Sequence, residues 1–188
     1  MIQVRWVERA LIVLAAVAVT IPGLGCTPGR VSQTRQGLTM EELVGFYSPK
    51  KIKILEFTRP RSFDDDLFPD GIEVSLRMLD GAGDSVKAFG DFRFELYEHR
   101  DAAANNRGNP VRSWEKTLAT LKDQRDFWER VTMTYQFQLD WEGDPIAPQQ
   151  TYVLDVSYSA EGGERLFDSF KMEFNIDRQE ILDSFKGT

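Results

Sequence analysis

The sequence predicts an all-β chain: a single antiparallel β-sandwich of about seven strands, with short helices at its N- and C-terminal ends. Two observations carry this. From residue 50 onward apolar and polar side chains alternate with period two, the signature of strands with one buried and one wet face. Glycine- and aspartate-rich turns punctuate the alternating runs at short intervals. Composition agrees, since 41% hydrophobic and 12% aromatic residues over 188 positions suffice for one real core. The domain division expected is 1–25 for an export signal, 26–38 for a lipidated cysteine and flexible tether, and 39–188 for the sandwich with its flanking helices.

The chain starts MIQVRWVER, with Arg5 and Arg9 against Glu8, and continues into the apolar run Ala10 to Ile21. A charged start ahead of such a run is the pattern of a secretory signal peptide. Pro22-Gly23-Leu24-Gly25 follows, and then the single cysteine, Cys26. This leader resembles that of bacterial lipoproteins, in which a small residue precedes a cysteine lipidated at its sulfur and its freed α-amine. Gly25 fits the pattern; Gly23 stands where the family usually has Leu, and Leu24 comes one place later. The resemblance implies lipidation at Cys26, export, and a lipid anchor in the cell membrane or outer membrane facing the periplasm or exterior. An uncleaved anchor is the competing reading, because Ala10 to Gly29 carries no charge. Its second half, PGLGCTPG, is poor hydrocarbon-spanning material.

Thr27 to Leu38 has turn formers and no periodicity, so it reads as a tether. Thr39-Met40-Glu41-Glu42 matches a capping box, with Leu38 and Leu43 placed for a hydrophobic staple, and Pro49 ends the helix. Ile52 and Ile54 lead into Leu55 and Phe57, a phase slip that predicts a bulge. Ile72, Val74, Leu76 and Met78 alternate, as do Val86 through Leu96, Val131 through Trp141, and Tyr152 through Tyr158. Val111 to Leu118 and Leu166 to Phe174 complete the set. Asp80 to Asp84 and Gly162-Gly163 read as hairpin turns. Thr120 to Arg130 fits a helical turn or a bent strand entry equally. Residues 176–185 read as a short terminal helix capped by Asp177. Seven such strands are of immunoglobulin-like or transthyretin-like type, without the cysteine pair of antibody domains.

The charge of −7 argues against a nucleic-acid partner, which needs a basic stripe. One cysteine forbids an internal disulfide, and one histidine removes most transition-metal and triad chemistry. His99 reads as a solvent-facing loop residue. Asp64, Asp66 and Asp70, in the loop before the second strand, are conceivable calcium ligands, the only cofactor suggested. Asp80 and Asp84 cannot join them, because an extended strand of about 25 Å intervenes. Trp128, beside Phe127, is the aromatic left outside a strand pattern and therefore the candidate for stacking on a sugar; Trp114 and Trp141 read as core. Arg100 to Pro110 reads as a long loop, and Arg100, Asn105, Asn106, Arg107 and Asn109 make it the leading binding candidate.

The expected function is therefore a membrane-anchored, non-catalytic lipoprotein presenting a β-sandwich to a protein partner in the cell envelope, or serving there structurally. A carbohydrate- or calcium-binding module is the alternative. A hydrolase ranks last, because no nucleophile, histidine and glycine-loop constellation is visible.

Overall fold

The computed structural model describes residues 37–64, 69–141 and 149–174. Helix α1 (Met40–Tyr47) precedes β1 (Lys51–Ile54), β2 (Arg59–Arg61), β3 (Gly71–Leu79) and β4 (Gly90–His99). A 3-10 turn (Ala104–Asn106) leads to β5 (Arg107–Leu118), then α2 (Leu121–Phe127), β6 (Trp128–Glu129) and β7 (Thr134–Asp140). Strands β8 (Gln150–Ser159) and β9 (Leu166–Phe174) follow. The strands form two antiparallel sheets, ordered β1-β3-β7-β6, with β2 also on β3, and β5-β4-β8-β9. The all-β expectation holds. The expected terminal helix at 176–185 lies outside the described residues.

Nine strands appear among the described residues where seven were expected, and the excess has local causes. Ile54 pairs with Leu76 and Arg59 with Glu73, so the four residues Leu55–Thr58 stand against only Val74 and Ser75. The expected phase slip is this bulge, and it divides one strand into β1 and β2. Thr58 closes it: its hydroxyl accepts from the Ser75 amide at 3.1 Å, and its own amide bonds the Leu55 carbonyl at 3.0 Å. The other addition is β6, a two-residue strand that follows directly on α2. Thr120 caps α2 by accepting from the Asp123 amide at 3.2 Å, while the Asp123 carboxylate takes the Thr120 amide at 2.7 Å. The same device opens α1, where Thr39 accepts from Glu42 at 3.1 Å. The expected staple leaves Leu38 59% exposed.

The period-two faces meet in one core. Phe92 and Phe94 of β4 point at Tyr135 and Phe137 of β7, on the other sheet. The Phe92–Phe137 and Phe94–Phe137 ring centroids lie 5.1 and 5.2 Å apart. Ile72, Val74, Leu76, Leu139, Leu154 and Val156 fill the space around these rings. Pairs of this kind add about 0.5–1.5 kcal/mol beyond the area they bury.

Two alternating runs start later than the sequence suggests. Val131 is 89% exposed, and Met133 sits in the left-handed region at φ 53. Both belong to the turn from β6 to β7, where the Val131 amide bonds the Glu129 side chain at 2.9 Å. Val86 to Phe89 likewise precede β4. There the Ala88 amide donates to the Tyr135 hydroxyl at 2.8 Å, and Gln124 of α2 donates to the Ala88 carbonyl. The Tyr135 hydroxyl in turn donates to Gln124 Oε1 at 2.7 Å. The Val86 amide still reaches the Met78 carbonyl of β3 at 2.9 Å, and side chains satisfy the backbone of Ala88 beyond it. Gly90 ends the stretch at φ 148, where a Cβ would come within 2.4 Å of the Ser159 carbonyl. The connection between β8 and β9, residues 160–165, is wider than the two-residue turn expected; Gly162 holds its reversal at φ 68.

The facing assignment makes Phe137→Ala cost about 3–5 kcal/mol, because Phe137 is fully buried. Val131→Ser and Gln136→Ala should stay within about 0.5 kcal/mol in the same denaturant melts. Alkaline stability gives a second check. Tyr158 donates to the Phe89 carbonyl at 2.7 Å, and burial pushes its phenol up to about 12. A raised native value means that the folded chain keeps a proton the unfolded chain loses near 10. Stability from this group is therefore present below about pH 10 and lost as pH rises toward 12. Melts of Tyr158→Phe across pH 9–12 should show a shallower alkaline decline than the native chain.

Candidate functional site

The residues singled out by sequence do not converge. Cys26 and Asp66 lie outside the described residues. Asp64 is exposed and its carboxylate accepts from Ser62 at 3.0 Å, while Asp70 accepts from the Phe63 amide at 2.7 Å. These two carboxylates hold their own loop, and among the described residues no three His, Cys, Asp or Glu side chains stand together as a metal site. Trp128 is half-buried at the sheet edge, edge-on to Tyr135 at 5.0 Å and under Lys87 at 5.2 Å. That leaves little of it open as a stacking platform.

The long loop is shorter than expected. It spans Arg100–Asn106, because Arg107 and Asn109 already belong to β5. Arg100 closes it by donating its amide to the Asn106 carbonyl at 2.9 Å, and Asn105 and Asn106 take left-handed φ of 59 and 57. Asparagine tolerates that conformation, so the pair is explained by the turn. Asn109 donates to Glu98 at 2.9 Å across the strand pair. His99 ends β4 with its side chain only 9% exposed, Nε2 lying 3.6 Å from Asp101, and is not the solvent-facing loop residue expected.

Arg107 alone leads to a built site. It crosses the Tyr97 ring at 5.6 Å and places Nε 2.6 Å from Asp155 Oδ2 on β8. Asp155 faces a groove of about 440 Å³ on the outer surface of the second sheet. Register makes its floor from two cross-strand rows: Glu95, Asp155 and Ser169 in one, Arg93, Ser157 and Phe167 in the other. Neighbouring strands stand about 4.8 Å apart and alternate residues about 7 Å apart, so the floor measures roughly 10 by 7 Å. Arg93 bonds Glu95 at 3.0 Å and reaches Glu115 at 3.5 Å. Arg165 lies over Phe167 at 5.8 Å and has no carboxylate partner among the described residues.

Asp155 is the unusual member. It is only 8% exposed, and its Oδ1 is buried without a hydrogen-bond partner. An unsatisfied buried acceptor is a cost that folded chains ordinarily remove. A second concavity, about 320 Å³ on the first sheet beside Phe57, lacks such a group; Thr132 and Thr134 there bond each other at 2.7 Å.

No family model, curated protein or solved structure matches the chain. The site therefore rests on its own geometry. Of the groove residues, sequence reasoning singled out Arg107 alone and did not group it with Arg93, Glu95, Asp155, Arg165 or Phe167. The strands that carry them are brought together only by register. Removing the guanidinium in Arg107→Ala should cost about 1–3 kcal/mol in a denaturant melt, because it strands a buried carboxylate. Arg100→Ala, in the exposed turn, should stay within about 0.5 kcal/mol.

Proposed function

We propose that the chain is an exported lipoprotein, anchored through Cys26, whose single β-sandwich acts by non-catalytic binding in the cell envelope. The observation that carries this reading is the charged start, apolar run and lone Cys26, followed by a tether and then a folded β-unit. The groove supports binding over catalysis. Each of its floor carboxylates is held by a guanidinium, Glu95 by Arg93 and Asp155 by Arg107. A carboxylate fixed in this way is not free to approach a substrate atom and exchange a proton with it.

Strand order supports the immunoglobulin-like form of the sandwich. If β1 and β2 count as one broken first strand, the first sheet runs first-second-sixth-fifth in chain order, the ABED arrangement, with β5 as an added strand. The other sheet then holds the CFG set as β4, β8 and β9, extended by β5 at its edge. A protein partner finds its best support at α1, the element nearest the tether. This helix buries no residue and leaves Met40, Val44, Phe46 and Tyr47 between 46% and 74% exposed. Adjacent apolar side chains left in water on this scale are typical of interaction surfaces.

Lipidation is the step to test first. Intact mass spectrometry of the membrane fraction should find a chain beginning at Cys26 with added acyl mass. Two or three chains hold a protein firmly, whereas one gives marginal residence. A mature N-terminus elsewhere, or an unmodified cysteine, overturns the anchor reading.

A further inference from the structure

We propose that the groove on the second sheet is a saccharide site, selective for a sugar unit that carries a carboxylate. Arg93 and Arg107 are spent on Glu95 and Asp155, whereas Arg165, above Phe167, pairs with no carboxylate among the described residues. Phe167 is 64% exposed and offers an apolar face of the kind on which a pyranose ring stacks. Ser157 and Ser169 add two hydroxyls on the same floor, each able to donate and accept. Asp155 lies on the same floor, its Oδ1 buried without a hydrogen-bond partner. The complementary ligand has one flat apolar face, several hydroxyls and one anionic group.

A uronate unit meets all of these at once. Its carboxylate pairs with Arg165, its ring covers Phe167, and its hydroxyls meet the serines and Asp155. Asp155, held through Oδ2 by Arg107, lies on the floor beside these hydroxyls. An extended peptide is a poorer fit, because the groove crosses β4, β8 and β9 on their face. β4 and β8 are paired on both sides, and a chain lying across the face does not run along the outer edge of β9, so it adds no main-chain ladder.

The proposal rests on the non-catalytic binding reading, and one experiment separates their failures. Full chain in detergent micelles is titrated calorimetrically with digalacturonate, maltose and hexaglutamate, and each sugar is recovered and chromatographed. Saturable binding of digalacturonate, at least tenfold tighter than maltose, is expected. Arg165→Ala should remove that preference, a change of about 1.4 kcal/mol for each tenfold. Phe167→Ala should weaken both sugars, while both variants keep the native melting temperature. Absence of digalacturonate binding, or binding that both variants leave unchanged, overturns the saccharide site. Binding of hexaglutamate without digalacturonate overturns it in favour of an acidic-peptide site. Cleaved digalacturonate would instead overturn the non-catalytic reading and leave the groove as the place where the sugar binds.

Discussion

The contact between Phe92 and Phe94 on one sheet and Phe137 on the other governs the rest of the molecule. Each sheet has one apolar face, and neither face can be left in water. Once the rings interlock, alternation fixes the direction of every other residue on the same strands: Arg93 and Glu95 must point outward because their neighbours point in. A register slip by one residue would bury Arg93 and expose Phe94. The groove on the outer surface of the second sheet is thus a consequence of the core, set by the same pairing that aligns Phe94 with Val156.

A second constraint secures the place where alternation fails. Residues 86–89 cross toward the second sheet without a full ladder, and Gln124 and Tyr135 supply what strand partners do not. Gln124 is 3% exposed, an uncommon position for an amide unless its hydrogen bonds are made. It gets there because the Thr120–Asp123 capping box starts a helix short enough to turn one side chain into the core. The polar knot and the aromatic cluster share Tyr135, whose ring packs on Phe92 and Trp128 while its hydroxyl holds Ala88. Packing and backbone satisfaction are therefore coupled through one residue.

The central strands were legible because they are half-buried and long: 72–78, 92–96, 135–139 and 152–158 alternate as the structure has them. The misreadings fall where another rule competes. Gly108, Asn109 and Pro110 look like loop formers, yet they lie in β5. That strand is the edge of its sheet, where proline's missing N–H costs no ladder bond, and the register shifts between Leu96 and Tyr97 opposite it. Val131 and Met133 carry strand-like side chains but sit in a turn whose left-handed φ no periodicity announces. The candidate site was illegible for a different reason. Its floor comes from three strands, spaced from Arg93 to Ser169, with Arg107 added from β5 and Arg165 from the turn before β9, and the rows exist only after pairing.

The charge pattern on those rows argues for recognition over stability. Glu95 and Asp155 stand directly opposite each other, and like charges so placed destabilise a strand pair by a few tenths to about 1 kcal/mol. Threonine or valine at either position would relieve this and suit the sheet better. Two arginines offset the repulsion instead, at the entropic cost of fixing two long side chains, and Asp155 still keeps one oxygen unsatisfied. In a chain that is acidic overall, the groove sets three guanidiniums against the three carboxylates Glu95, Asp155 and Asp168, so its own charges balance. Local attraction then acts only on a ligand already close, which favours selection by contact over long-range capture. That is the behaviour expected of a site that reads the shape and hydroxyl pattern of its ligand as well as its charge.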